Sequence, residues 1–238
     1  MNGNGEAIGI AAALIRAGQY SRPHGPDAPV PRPFSIALSR EAGTGGALVG
    51  RELGRRLNWP VYDHEILDHL ASELHVEVDR LESIDERPGN WLVESLNAFA
   101  AHSTVSEVTY YRRLLKLILA LGAKGHCVIV GRGAMIALPV ETTLRVRLVA
   151  SLEDRIAFIV KERGLKPAEA ASFVEETDRQ RRKFIKDHFR KDVTDPLIYD
   201  LVLNTSRLSV EECADLVVEA LLRLQAREPG AKPRHATA

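Results

Sequence analysis

Cysteine is scarce in this chain, two residues in 238, and the pair has neither zinc-site spacing nor a disulfide pattern. Cys127 and Cys213 each sit inside an apolar run, so they read as packing residues of a reduced, cytoplasmic protein. A surplus of either charge is also missing, because 32 Lys and Arg balance 32 Asp and Glu. That excludes a global field drawing the protein to nucleic acid or to a membrane surface, and any anion must be held locally. Long hydrophobic runs are absent too. The apolar stretch near the N-terminus, residues 7–15 (AIGIAAALI), follows no basic segment and is far too short to span a bilayer; it reads as a short helix.

Proline is concentrated where structure is not expected. Residues 22–33 (RPHGPDAPVPRP) form a linker, so residues 1–33 read as an appended helical arm, able to pack on a neighbouring subunit in a homo-oligomer. The tail, residues 227–238, reads as disordered. Between them, residues 34–226 alternate strand and helix signals. Strands are expected at 34–38, 59–63, 127–131, 144–150 and 200–204, and helices at 47–57, from about 64, at 108–125, 152–164, 167–190 and after Ser209. The pattern predicts an α/β fold with a doubly wound, five-stranded parallel sheet in three layers, whose ligands sit at the carboxyl ends of the strands. Residues 64–106 would contain an insert and residues 165–195 a lid.

The stretch SREAGTGGALVG (39–50) joins the first strand to its helix. Gly43, Gly45 and Gly46 permit positive φ and close approach of a ligand, Thr44 lies among them, and the next helix directs free amides at the bend. Aligned on the phosphate-loop pattern G-x-x-x-x-G-K-[ST] with Gly45 as the second glycine, the loop lacks its cation: Arg40 falls on the first glycine, Gly46 on the lysine and Ala47 on the magnesium-binding hydroxyl. The nearest substitutes are Arg40, at the strand end, and Arg51, about one turn into the helix, of which Arg51 reads better as a solvated arginine. Arg132 follows a buried strand directly, where a planar guanidinium can be held rigidly toward a phosphate. On the long helix, Arg179, Arg181 and Arg182 are concentrated, and Asp178 shares a face with Arg181, so the two could grip a ribose or phosphate together.

The segments SREAGTGG, VYDHEIL, CVIVGRGA, RVRLVASLEDRI and DPLIYDLVLNTSRLS, in this order, resemble the cytidylate kinase-like family over about residues 34–224. The resemblance implies the nucleoside monophosphate kinase fold, with a phosphate loop, a monophosphate-binding insert and a lid. It also implies that Arg132 grips the acceptor phosphate, that Asp178 and Arg181 contact ribose and phosphate, that Asp63 leads into the monophosphate-binding segment, and that Asn204 and Thr205 border the adenine of ATP. The family's aspartate after the arginine is Gly133 here, so the resemblance does not carry over the pyrimidine-side contacts.

The expected activity is therefore transfer of a phosphoryl group from ATP, with Mg2+, to CMP or dCMP. Gly43, Thr44, Gly45 and Gly46 would hold the ATP phosphates, Arg132 and Arg181 the acceptor and developing charge, and Arg40 part of the lysine's role. A nucleotide-binding regulatory protein without turnover, or a kinase for another small phosphoacceptor, are the rivals. No protein-held metal site is expected. His64, Asp68 and His69 read as a polar helix start, Asp85 and Glu86 as solvated residues of the insert, and Tyr110 and Tyr111 as packing residues, though an exposed tyrosine could stack on a base.

Overall fold

The structure, a computed structural model, describes residues 33–73 and 105–226; the expected arm, most of the insert, with Asp85 and Glu86, and the tail lie outside the described residues. Its strands are β1 (Ser35–Arg40), β2 (Val61–Tyr62), β3 (Val128–Val130), β4 (Thr143–Val149) and β5 (Leu201–Asn204). The helices are α1 (Gly46–Leu57), α2 (His64–Glu73), α3 (Val105–Lys124), α4 (Ala134–Ala137), α5 (Leu152–Arg163), α6 (Pro167–Phe189) and α7 (Val210–Gln225). The sheet order is β2-β3-β1-β4-β5 and every pair is parallel.

Alternation along β1 explains the layers. Ile36 and Leu38 face one side, where they are buried with Val49 and Leu53 of α1 and Val217 and Leu221 of α7. Ala37 faces the other, packed with Leu114 and Ile118 of α3 and Met135 of α4. A strand covered on both faces must be apolar throughout, which is why CVIVG and FSIAL carry almost no polar residues. A third apolar cluster joins Ala42, in the loop after β1, to Ile159 of α5 and Ala170 and Val174 of α6. It seats the α5–α6 pair over the carboxyl end of the central strand.

Local signals set the ends. Ser209 caps α7 through its Oγ, which accepts from the Glu212 amide, while Glu212 accepts from the Ser209 amide. Pro167 opens α6 at its first turn. Both cysteines are buried and unbridged, and burial pushes the Cys127 thiol up to about 11, as a packing role requires.

Candidate active site

Five chain segments end side by side at the carboxyl edge of the sheet, and a cavity of about 370 Å³ opens there beneath α6. Five arginines line it: Arg40 from β1, Arg132 after β3, Arg147 from β4, and Arg181 and Arg182 from α6. Its carboxylates are Glu41 and Asp178, and both are already committed to arginines, Glu41 beside Arg147 and Arg155 and Asp178 to Arg155. The cavity therefore carries an uncompensated positive charge, suited to an anionic ligand.

Arg40 takes an unexpected path. Its stem covers Gly46, where an added Cβ would stand 2.8 Å from Arg40 Cγ, and its Nη1 fills the space beside Gly131. Its Nη2 reaches His64 Nδ1 at 3.5 Å. Burial first, then Arg181 and Arg132, pull its pKa down to about 9, still cationic at neutral pH. A bound anion would relieve that cost. Arg181 donates from Nη1 to the Arg40 carbonyl at 3.3 Å, and burial lowers its pKa as well. Among the described residues neither Arg40 nor Arg181 makes an ion pair.

Arg132 adopts φ 51° between Gly131 and Gly133, both also at positive φ. That turn throws the side chain off the sheet, to pair with Asp68 of α2 and lie 5.3 Å from the Phe184 ring centroid. A side chain at Gly133 would run into the Phe189 ring. The missing aspartate is thus matched by an aromatic filling its space.

The glycine bend faces a different neighbour. Gly43 and Gly45 have φ 82° and 68°, and a Cβ at Gly43 would collide with the backbone of Arg155 in α5. The Ala42 amide donates to Asp178 Oδ1 at 2.8 Å, while Asp178 Oδ2 accepts from Arg155 Nη1 at 2.5 Å. Beyond Ala42, the amides of Gly43 through Ala47 meet no acceptor among the described residues, which leaves them open to water or to a ligand. The Thr44 hydroxyl donates to the Glu41 carbonyl at 2.9 Å and shapes the bend from within.

Of the residues singled out from sequence, Arg40, Arg132, Asp178 and Arg181 line one cavity; Gly43, Thr44, Gly45, Gly46, Asp63, Asn204 and Thr205 do not. Asp63 caps α2, its Oδ1 accepting from the Glu65 and Ile66 amides. Asn204 Oδ1 accepts from the Ser206 amide, and the Thr205 amide donates to the Val149 carbonyl, so both order the loop after β5. Arg51 is exposed on α1 and does not line the cavity, in keeping with a solvated arginine. His64, read from sequence as part of a polar helix start, is the first residue of α2 and also lines the cavity. Arg147 was not anticipated at all. It is 7% exposed, donates to Ser39 Oγ and Tyr199 hydroxyl at 3.4 Å, and lies over the Tyr199 ring. The signal was present in LRVRLVA: an arginine inside a strand buried on both faces needs a partner or a ligand.

The residues at the bend do not fit a protein-held magnesium ion. Ala47 has no hydroxyl, and Glu41 and Asp178 are tied to arginines. Among the described residues no group of three metal-binding side chains occurs.

A crystal structure of an uncharacterised protein from Eubacterium ventriosum superposes with TM-score 0.64 at 24% identity, covering 80% of this chain and 98% of that one. A cytidylate kinase from Methanopyrus kandleri is 36% identical over 90 residues, 38% of this chain and 47% of the kinase. A uronate isomerase from Corynebacterium glutamicum is 34% identical over 124 residues, 52% of this chain and 24% of the isomerase. The chain thus spans about half or less of the curated relatives it matches. Residues 35–207 match the cytidylate kinase-like family throughout, and the chain belongs to that family.

Proposed function

We propose that this protein transfers the γ-phosphoryl group of ATP to a nucleoside monophosphate, with CMP or dCMP as acceptor. The observation that carries the reading is the convergence of Arg40, Arg132 and Arg181, from three distant segments, on one cavity beside the glycine bend. In the reaction an acceptor phosphate oxygen bonds to the γ-phosphorus as the bridging bond to ADP breaks. The attacking oxygen is already anionic, so no general base is required, and the work is positioning and charge neutralisation.

The amides from Gly43 to Ala47 would hold the donor phosphates. Asn204 and Thr205, at the end of β5, would border the adenine. Arg132, Arg181 and Arg40 would hold the acceptor phosphate and the charge on the transferred group. Asp63 would act through the start of α2, and Asp178 by fixing the bend rather than by gripping ribose. Magnesium would arrive with ATP.

One observation favours a second reading, a nucleotide-binding protein that does not turn over: the lysine position is Gly46, and the space beside it is filled by Arg40. A coupled assay of ADP release with Mg·ATP and a panel of CMP, dCMP, UMP, AMP and GMP separates the two. The kinase reading expects the diphosphate product by mass spectrometry, and tight nucleotide binding without product would establish the second reading instead. A wider metabolite panel tests for another phosphoacceptor.

A further inference from the structure

We infer that Asp68 and Tyr110 are positioning residues for Arg132, holding its guanidinium at the mouth of the cavity from two different helices. The inference rests on the proposed role of Arg132 at the acceptor. Asp68 belongs to α2 and Tyr110 to α3. The Tyr110 hydroxyl donates to Asp68 Oδ1 at 2.6 Å, and Asp68 Oδ2 pairs with Arg132 Nη2. The carboxylate is thereby used on both oxygens, one fixing its own orientation and the other fixing the arginine.

The third support is aromatic. The Arg132 guanidinium lies over Phe184, which stacks on His188 with ring centroids 4.3 Å apart and an interplanar angle of 26°. Carboxylate at one edge and ring at one face restrict rotation about the long arginine side chain. Arg132 Nε is buried and has no hydrogen-bond partner among the described residues.

Two features make this more than a surface ion pair. Arg132 follows a backbone turn at positive φ, so the strand end alone does not dictate its side-chain direction. The same tripod also joins α2 and α3 to a group on the sheet edge, so a shift of either helix is felt at the acceptor site. Losing the carboxylate charge would leave the cation free to swing, and a misplaced phosphate clamp costs rate and affinity far more than fold.

The test uses the full chain with Asp68→Asn, Asp68→Glu, Tyr110→Phe, Arg132→Ala and the Asp68→Asn/Arg132→Ala double variant. Equilibrium titration with CMP and separately with ATP is read by calorimetry, and steady-state KM for each follows where turnover is measurable. Asp68→Asn is expected to weaken CMP about tenfold while ATP changes less than about twofold, with partial rescue in Asp68→Glu and a smaller loss in Tyr110→Phe. In the double variant the loss should equal that of Arg132→Ala alone, because the two act through one group.

An acceptor-independent readout is the Arg132 Nε–H signal in nitrogen-15 NMR, assigned by its loss in Arg132→Ala. Its hydrogen exchange should quicken in Asp68→Asn. Unchanged exchange, or additive losses in the double variant, would overturn the inference. If Arg132→Ala leaves CMP binding untouched while exchange still quickens in Asp68→Asn, the acceptor role of Arg132 fails and the positioning contact survives. Should Asp68→Asn not fold, Tyr110→Phe carries the same exchange test.

Discussion

At the scale of single residues, Arg40 occupies the space beside the position where the usual loop carries its lysine. The arginine sits where the usual pattern has its first glycine, and its stem occupies the space that a side chain at Gly46 would need. Gly46→Lys alone should therefore overpack the bend and cost about 1–3 kcal/mol, read as a lower melting temperature. Combined with Arg40→Gly, which clears the stem, the same lysine should cost less, and a simple sum of the two losses would remove the coupling. The guanidinium ends beside Gly131 and His64, away from the bend and on the side proposed for the acceptor. Arg40→Ala should accordingly raise the KM for the acceptor more than that for ATP, a loss of roughly 1.5–3 kcal/mol for a charged contact. Equal effects on both substrates would place Arg40 on the donor phosphates. None of these distances was legible in SREAGTGG, where only the exchange of residue types could be seen.

At the scale of elements, α6 is latched to the glycine bend. Asp178 accepts from the Ala42 amide and from Arg155, and Arg181, one turn further along the same face, donates to the Arg40 carbonyl. The Asp178 and Arg155 side chains are each only about a tenth exposed, so truncation would leave Arg155, in a nearly closed site, with its 3.7 Å contact with Glu41 as its only ion pair among the described residues. Asp178→Ala should destabilise the protein by about 3–5 kcal/mol in urea unfolding, and Asp178→Asn, which keeps an oxygen for Ala42, should cost less. Equal stability of Asp178→Ala and the parent would mean the latch contributes nothing. The spacing of Asp178 and Arg181 was readable as one helix face. That the face meets the loop depended on how α5 and α6 pack on Ala42, which helix periodicity does not encode.

At the scale of the whole molecule, five arginines share one cavity while the chain as a whole is neutral, so anion binding should weaken with salt only moderately, as expected for partly buried charges. Stability should also depend on pH through two imidazoles. Burial lowers the pKa of His64, with Arg40 and Arg132 adding to it, and burial lowers that of His188. Both groups are therefore easier to protonate in the unfolded chain, so their contribution is complete above the ordinary value of 6.5 and is lost as pH falls through the lower folded values. The melting temperature should drop between about pH 7 and pH 5, and His64→Asn/His188→Asn should flatten that drop; an unchanged slope would assign it to other groups. The alternation of apolar runs with amphipathic stretches determined the parallel sheet, its number of strands and the glycine bend after the first, because strand and helix periods are local properties of a chain. Which guanidiniums meet was decided only by the tertiary structure. The order β2-β3-β1-β4-β5 places the ends of β1, β3 and β4 side by side, so that Arg40, Arg132 and Arg147, far apart in sequence, come to face one another under α6.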